Sequence, residues 1–179
     1  MSFESGKSMA SIGALLLVIG SFVPFLSLVG IILLLVGLRN LARHYNDDSM
    51  FQNALYAVIF GIIGIVAAGV LLVSLFIGGL FAAGAFLGLA AGVIVALVVA
   101  FIFYILMALY FRKAFDSLAD KSGQGTFRTA GLLLLIGAVL TIVVVGLILI
   151  FVAWILVTVA FFSMTPTTTP QQPPPPPRT

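Results

Sequence analysis

The sequence contains no cysteine, which excludes disulfides, thiolate nucleophiles and cysteine-ligated zinc or iron–sulfur sites within its 179 residues. Charged side chains are also scarce, since Asp, Glu, Lys and Arg make up only 7% of the chain, whereas 63% is hydrophobic. A water-soluble domain of this length needs much more polar surface, so the composition predicts a membrane protein. The net charge of +3 comes without the clustered basic patch, interleaved with aromatics, that nucleic-acid binding requires.

The long apolar runs contain no Asp, Glu, Lys, Arg or His, apart from Arg128 beside the first residue of the last run. Proton relays, ion-coupled carriers and voltage sensors normally need such a residue inside the membrane, so its absence counts against those mechanisms. Hydroxyls such as those of Ser21 and Thr141 have no base nearby and are expected to bond to their own helix or to a neighbour. His44, Asp47 and Asp48 are the only group of metal-ligand types, but both acids suit the start of a helix. We therefore expect no catalytic residue, cofactor or metal site, and a protein that is not an enzyme.

Ser49–Phe111 is the longest apolar run, with 63 residues and no charged side chain. As one helix it would reach roughly 95 Å, about three times the hydrocarbon core of a bilayer. The run must therefore cross the membrane, turn and return. Because glycine tolerates turn conformations, we place the turn near Gly78-Gly79, between helices of about Met50–Ile77 and Ala82–Tyr110.

The first apolar run, Ser8–Leu38, has 31 residues and is rather long for a single span. The sequence GSFVP interrupts it, so we interpret the region as a helical hairpin with arms Met9–Gly20 and Phe25 to about Tyr45. The first arm is short for a full crossing. A re-entrant hairpin that enters only half of the membrane is therefore one alternative, and a single long kinked helix is another.

Phe127–Met164 is the last apolar region and is again too long for one untilted span. The position at which a helix can be interrupted here is Thr141, near Gly137 and Gly146, and this arrangement resembles that of the first hairpin. A second hairpin here gives six membrane segments, with two short hairpins flanking two long helices. This all-α, polytopic transmembrane bundle is the fold that we favour, and a four-span model is the alternative.

Small residues recur along both long helices at the spacing of one helix face. Such rows form shallow grooves in which a neighbouring helix packs closely, within the bundle or between subunits of a homo-oligomer. The residues expected to serve helix packing in this way are Ala57, Gly61, Gly64, Ala68, Gly84, Gly88, Gly92, Ala96 and Ala100. A sharper interpretation is that these small side chains line a narrow path for a neutral solute.

The positions of the basic residues predict the orientation of the chain. All eight Lys and Arg lie in the termini or in two polar loops, and six segments would bring these regions to one side. The residues expected at that membrane interface are Arg39, Arg43, Arg112, Lys113, Lys121 and Arg128. The positive-inside rule then places both termini in the cytoplasm of a cell-membrane protein, whereas the four-span model would put them outside.

The chain divides into a helical membrane domain, residues 1–164, and a Pro-rich tail, residues 165–179, which holds seven of the eight prolines. The tail cannot bury a core, so we expect a disordered segment that leads into a stiff polyproline stretch. Such a run is most often a spacer. The functional alternative is a ligand for a cytoplasmic protein partner with an aromatic-lined groove.

Four stretches of the chain carry a family resemblance. They are IGSFVPFLSLVGIILLLVGLRNLARHY, DDSMFQNALYAVIFGIIG, ADKSGQGTFRTAGLLLLIGAVLTIVVVG and AWILVTVAFFSM, and they fall within Ser8–Met164. On these stretches the chain resembles a family of archaeal membrane proteins, the domain-of-unknown-function family number 996. The resemblance implies an archaeal cell-membrane protein, and because that family has no assigned activity, it supplies no functional residue.

These observations predict a non-enzymatic, multi-pass protein that acts as a structural or accessory component of the membrane. Its cytoplasmic loops and its tail would be the contact surfaces. A small channel or facilitator for a neutral solute is the alternative.

Overall fold

The structure, a computed structural model, describes residues 3–81, 86–143 and 145–166. Every regular element in these ranges is helical. The helices are α1 (Phe3–Gly20), α2 (Pro24–His44), α3 (Asp48–Phe81), α4 (Phe86–Ser122), α5 (Gly125–Val139) and α6 (Val145–Ser163), with a short 3-10 helix, Leu140–Ile142, after α5. Five of them, all except α5, are long and apolar enough to cross a membrane by length and composition. The all-α class is thus confirmed, whereas most of the predicted Pro-rich tail lies outside the described residues.

The helices pack in chain order and close into a ring. Each helix contacts the next one along the chain, and α6 returns to contact α1. The most extensive interfaces lie within the three consecutive pairs, α1–α2, α3–α4 and α5–α6. The arrangement therefore has two short hairpins on either side of two long helices, as the sequence predicts.

Helix α1 begins at Phe3, so the prediction that the first arm starts at Met9 is wrong. Phe3 is buried, and its ring lies 5.2 Å from that of His44 and 6.4 Å from that of Tyr45, between ring centroids. Aromatic contacts of this kind add to the free energy gained by burying the ring. They anchor the polar first turns of α1 to the end of α2, which local composition could not show.

The chain reverses direction between Gly20 and Pro24. Pro24 is at the first turn of α2, where its missing N–H would have no helical partner in any case. A Cβ placed on Gly20 would lie only 2.6 Å from the backbone nitrogen of Ser27, so the two arms touch directly above the turn. The region is a hairpin, and the alternative of one long kinked helix is wrong.

Glycines set the distance between α1 and α2 along their whole length. A Cβ on Gly13 would lie 2.4 Å from the backbone nitrogen of Leu34 and 2.8 Å from the carbonyl oxygen of Gly30. A Cβ on Gly37 would lie 2.4 Å from the backbone nitrogen of Ala10. The two backbones therefore approach as closely as glycine alone allows.

Helix α3 continues to Phe81, so the turn predicted near Gly78-Gly79 is wrong. A glycine inside a helix costs about 1 kcal/mol relative to alanine. An unpaired backbone group in apolar surroundings costs several kcal/mol. Continuing the helix through both glycines is therefore the favourable choice. The predicted helix start at Ala82 lies outside the described residues, and α4 is described from Phe86.

Both short hairpins, α1–α2 and α5–α6, end beside the middle of the long pair of helices, α3 and α4. Thr141, at the tip of the α5–α6 hairpin, lies against Tyr104, which is the middle residue of α4. At the other tip, Phe22 packs edge to face on Phe151 of α6, with ring centroids 6.0 Å apart. Phe151 follows Val145, the first residue of α6, by more than one helical turn and so lies away from the tip of the α5–α6 hairpin. The tip of the α1–α2 hairpin therefore reaches no farther along α3 and α4 than the tip of the α5–α6 hairpin.

One half of the α3–α4 pair therefore extends beyond the other four helices. We call residues 65–81 of α3 and 86–103 of α4 the free half. In the most apolar 18-residue stretch of each helix, only 6% of the residues of α3 and 11% of those of α4 are buried, against 44% in α1. Large side chains in the free half are open to the surroundings, such as Ile65 at 76% and Phe76 at 71% exposure.

Aromatic rings fill the interior among α4, α5 and α6 at the opposite end. Phe115 stacks on Phe127 with centroids 6.2 Å apart, and Phe127 meets Phe161 at 4.7 Å. The ring of Trp154 stands edge to face on Phe111 at 5.5 Å. Dense aromatic packing thus holds this end of the bundle together.

Candidate functional site

The charged residues of the described ranges lie at one end of the bundle, opposite the free half. This end, which we call the charged end, is formed by the last turns of α2 and α4 and the first turns of α3 and α5. It carries the six basic residues predicted for the membrane interface, of which Arg112 is half-buried and the others are exposed: Arg39, Arg43, Arg112, Lys113, Lys121 and Arg128. Two of them lie over aromatic rings, since Arg39 is 5.7 Å from the centroid of Phe51 and Lys113 is 5.0 Å from that of Tyr110.

The α2–α3 turn is fixed by backbone geometry. Asn46 has a positive φ of 50°, which ends α2, and the amide of Asp47 donates to the carbonyl oxygen of Ala42 at 2.9 Å. This is the bonding of a Schellman helix end, and asparagine is the residue other than glycine that most readily adopts it. The carboxylate of Asp47 then accepts the backbone amide of Ser49 at 3.1 Å, which caps the first turn of α3.

Asp47 also joins α3 to α4. Its second carboxylate oxygen accepts the hydroxyl of Ser117 at 2.6 Å, and the first accepts the hydroxyl of Ser49 at 2.5 Å. The Ser117 hydrogen bond, followed by that from Ser49, holds the pKa of Asp47 below its ordinary value. Because these bonds favour the ionised carboxylate, they connect the two long helices most firmly when Asp47 is charged.

We expect Ser117→Ala to lower the free energy of unfolding by about 1 kcal/mol at neutral pH, because the carboxylate loses a charge-assisted hydrogen bond. The folded-state pKa of Asp47 is depressed, so this stabilisation is present above the ordinary Asp pKa and is lost as the pH falls through the folded-state pKa. Denaturation of both proteins in detergent across the acid range measures it, with Ser117→Thr as the control that keeps the hydroxyl. A difference that does not change with pH would contradict this role of Asp47.

Further polar contacts connect the helices at the charged end. Arg128 of α5 pairs with Asp120 of α4, but both side chains are more than 60% exposed, so the pair contributes little to stability. The side-chain amide of Gln124 donates to the backbone carbonyl of Ser163 at 2.8 Å and so joins the α4–α5 turn to the end of α6. These contacts position the helices relative to one another at the charged end.

The histidine is engaged in packing. Besides Phe3, the ring of His44 meets Tyr45 edge to face, with centroids 5.0 Å apart. The carboxylate of Asp47 is already occupied by its two serines. Among the described residues no three His, Cys, Asp or Glu side chains come together in a way that could hold a metal ion.

The small residues predicted for helix packing lie on α3 and α4. Ala57 and Ala96 are fully buried. A Cβ on Gly61 would meet the sulfur of Met107 at 2.9 Å, and one on Gly64 would meet the Cβ of Phe103 at 2.8 Å. The rows of the two helices thus face each other within one chain.

The rest of this set is distributed along the same two helices. Ala68 and Ala100 are half-buried and line a cavity. A Cβ on Gly92 would lie 2.3 Å from a methyl carbon of Leu75, so a side chain of α3 already fills the groove at that level. Gly84 lies outside the described residues, and Gly88 belongs to the described backbone of α4 only.

Sequence reasoning missed the tighter glycine contacts of the α1–α2 hairpin. Gly6, Gly13 and Gly20 follow one another at seven-residue intervals, and so do Gly30 and Gly37. Residues seven apart share a helix face, so this spacing was the available signal. The four-residue rows of α3 and α4 are longer and form the stronger pattern.

An apolar cavity of about 750 Å³ lies where the free half meets the tip of the α5–α6 hairpin. Its lining residues are Gly61, Gly64, Ile65, Ala68, Leu97, Val98, Ala100, Phe101, Tyr104, Met107, Thr141 and Leu147. Only Tyr104 and Thr141 contribute hydroxyls, and that of Thr141 donates to the carbonyl oxygen of Gly137 at 2.8 Å. This lining can pack against a neutral apolar group but offers it no acid, base or charge.

The fold and the charged end define a class: an all-helical protein with several apolar helices, compatible with a membrane protein. The chain belongs to the family described as Protein of unknown function (DUF996), which matches residues 26–155, and the resemblance seen in the sequence is confirmed. It is also similar to Uncharacterized protein MJ1644 of Methanocaldococcus jannaschii, with 36% identity over 176 residues that cover 92% of this chain and 94% of the relative. No solved structure matches the chain.

Proposed function

We propose that the protein is a non-enzymatic structural component of the cell membrane, with the charged end and both termini in the cytoplasm. The observation that carries this proposal is how the hydroxyls in the apolar helices are used. Four of them donate to a carbonyl oxygen four residues earlier in the chain: Ser11 to Lys7, Ser21 to Leu17, Thr141 to Gly137 and Thr158 to Trp154. Hydroxyls bonded in this way serve helix structure and are not held ready for a substrate.

The orientation follows from the position of the basic residues. Those in the described ranges cluster at the charged end, whereas the free half carries none, and cytoplasmic loops are enriched in Lys and Arg. The charged end would be the surface that meets cytoplasmic partners, together with the tail. A homo-oligomer is also part of this proposal.

A facilitator for a neutral solute is the competing function. It needs an open path along the small-residue row, and Leu75 fills that row beside Gly92. The cavity beside Tyr104 is apolar apart from its two hydroxyls, so it offers few of the polar groups that line solute pathways. These two observations favour the structural function.

Solute flux distinguishes the two functions. Full-length protein reconstituted in phosphatidylcholine vesicles is expected to give no swelling above empty vesicles with water, glycerol or urea gradients. A variant that opens the row, Leu75→Ala, serves as the comparison, because it removes the side chain that fills the groove at Gly92. Flux through the wild type that Gly92→Leu abolishes would refute the structural proposal.

A further inference from the structure

The two ends of the molecule differ in the number of helices that they contain. At the level of Phe115 and Trp154 all six helices are present, since α1, α2, α5 and α6 flank the long pair there. At the level of Phe76, α3 and α4 are the only helices in the part of the chain that the structure describes. Because a helix with its side chains is about 10–12 Å across, the cross-section at the charged end is roughly three times that of the free half.

Helix lengths show that this difference lies inside the apolar part of the molecule. Arg39 of α2 lies over Phe51 of α3, which sets these two helices side by side at the charged end. From there α2 extends only about 22 Å to Pro24, whereas α3 extends about 45 Å to Phe81. A hydrocarbon core of about 30 Å that begins at the level of the Tyr56–Tyr110 pair, about 7 Å from Phe51, ends near Phe76. The hairpin tips, about 22 Å from Phe51, therefore lie near the middle of this core.

The free half must itself be in lipid. It contains no charged residue between Ile65 and Phe81 or between Phe86 and Phe103, and most of the exposed side chains described there are large and apolar. In water these side chains would forfeit the hydrophobic free energy that burial supplies, about 25 cal/mol for each Å². The short hairpins consequently end near the middle of the bilayer.

Lipid chains, and not a second copy of the chain, fit the surface of the free half. Helices that associate in membranes do so through small residues that let their backbones approach. In this chain Gly64 and Ala96 are turned inward, toward the partner helix. The outward surface carries mainly β-branched and aromatic side chains, such as Val70 and Phe76. Gly69 also faces outward, but its neighbours one turn away, Ile65 and Val73, are large, so it belongs to no row of small residues.

We infer that the protein is a membrane wedge: six helices occupy the leaflet at the charged end and only two continue into the opposite leaflet, so the protein favours bilayers whose charged-end leaflet is convex. A convex leaflet has more area for inserted groups than the concave leaflet opposite it, and the wider end of the wedge fills that area. This inference rests on the proposed structural function and gives it a physical action on the bilayer.

Orientation in vesicles of different size tests the wedge. Gly125→Cys supplies a single thiol at the charged end, where a side chain at this position meets no atom within 4 Å, and the chain has no other cysteine. The full-length variant is reconstituted at low density in small and in large phosphatidylcholine vesicles. It is then labelled with a membrane-impermeant maleimide before and after addition of detergent.

The outer leaflet of a small vesicle is strongly convex. We therefore expect the ratio of outward-facing to inward-facing charged ends to be several-fold higher in small vesicles than in large ones. An equal ratio in both would overturn the wedge. Efficient disulfide formation between copies that carry Phe76→Cys would also overturn it, because a second copy would then fill the narrow leaflet.

The test separates this inference from the proposed function. Solute flux refutes the structural function whatever the orientation ratio is. An equal ratio without flux refutes the wedge and leaves the structural function in place.

Discussion

Replacing Gly13 by alanine is expected to lower the free energy of unfolding by about 2 kcal/mol, within the usual cost of overpacking a filled interior. The added methyl group would lie 2.4 Å from the backbone nitrogen of Leu34 and 2.9 Å from its Cα. These are backbone atoms, so no side chain can rotate away to relieve the overlap. The two helices must move apart, and contacts above and below the site loosen with them.

The same result is expected from the opposite helix. In Gly37→Ala the new methyl group would lie 2.4 Å from the nitrogen of Ala10 and 2.7 Å from its Cα. The two substitutions act on one interface, so their effects should not be additive: once either has separated the helices, the other costs less.

Gly69→Ala is the matched control. Gly69 is also a helical glycine, but a Cβ there would meet nothing within 4 Å. Alanine is the better helix former by about 1 kcal/mol, so this variant should be unchanged or slightly more stable. Its behaviour isolates the effect of close backbone approach from the intrinsic preference of glycine.

Titration with sodium dodecyl sulfate in mixed micelles measures these differences. Trp154, the single tryptophan, reports on α6, which contacts α1, and circular dichroism reports on helix content. Equal stability of Gly13→Ala and Gly69→Ala would show that α1 and α2 are not in backbone contact.

The sequence predicts helix type and number well, but its account of where helices touch is incomplete. Composition and apolar run length suffice for six helices, and GSFVP marks the first reversal. Which glycines touch another backbone depends on how two helices are rotated about their axes. The seven-residue spacing that includes Gly13 and Gly37 indicates a shared helix face but does not specify that rotation. The small-residue rows of α3 and α4 are visible in the sequence, yet their partners, such as Met107 for Gly61, are not.

The two corrected boundaries have a common cause. Gly78-Gly79 and the polar start before Met9 both resemble interruptions when read locally. In the folded chain, backbone hydrogen bonding carries α3 through the glycines, and the contact of Phe3 with His44 extends α1. Tertiary contacts and the need to satisfy backbone groups override these local preferences.

The depth of the hairpins is the feature that sequence reasoning left open. The sequence of Ser8–Leu38 allows a spanning hairpin, a re-entrant hairpin or one kinked helix, because length alone does not show where a helix pair ends relative to its neighbours. The contacts of Thr141 with Tyr104 and of Phe22 with Phe151 supply that relation.

We expect cysteines at the two hairpin tips to be inaccessible from both sides of an intact membrane. Ser21→Cys and Val143→Cys place single thiols at exposed positions of the two tips. In the middle of the bilayer a thiol is neither hydrated nor ionised, and the thiolate is the reactive form. A membrane-impermeant maleimide should therefore label neither variant, in cells or in vesicles opened from the other side, while Gly125→Cys is labelled from the cytoplasmic side only.

A positive signal completes this test. In the variant that combines Trp154→Phe with Phe22→Trp, the only tryptophan is at the first hairpin tip. We expect its fluorescence to be quenched most strongly by phospholipids brominated near the chain ends, and Ile77→Trp in the same background to be quenched most by those brominated near the headgroup.

Six full crossings give the opposite pattern. Both tip cysteines would then be labelled from outside the cell, and the tryptophan at position 22 would be quenched by bromine near the headgroup. That result would also leave residues 65–81 beyond the bilayer, although Ile65 and Phe76 are more than two-thirds exposed. A second protein would have to cover them. Labelling from outside would therefore replace the half-depth hairpins with a partner that encloses the free half, and disulfide capture through Phe76→Cys would identify whether that partner is another copy.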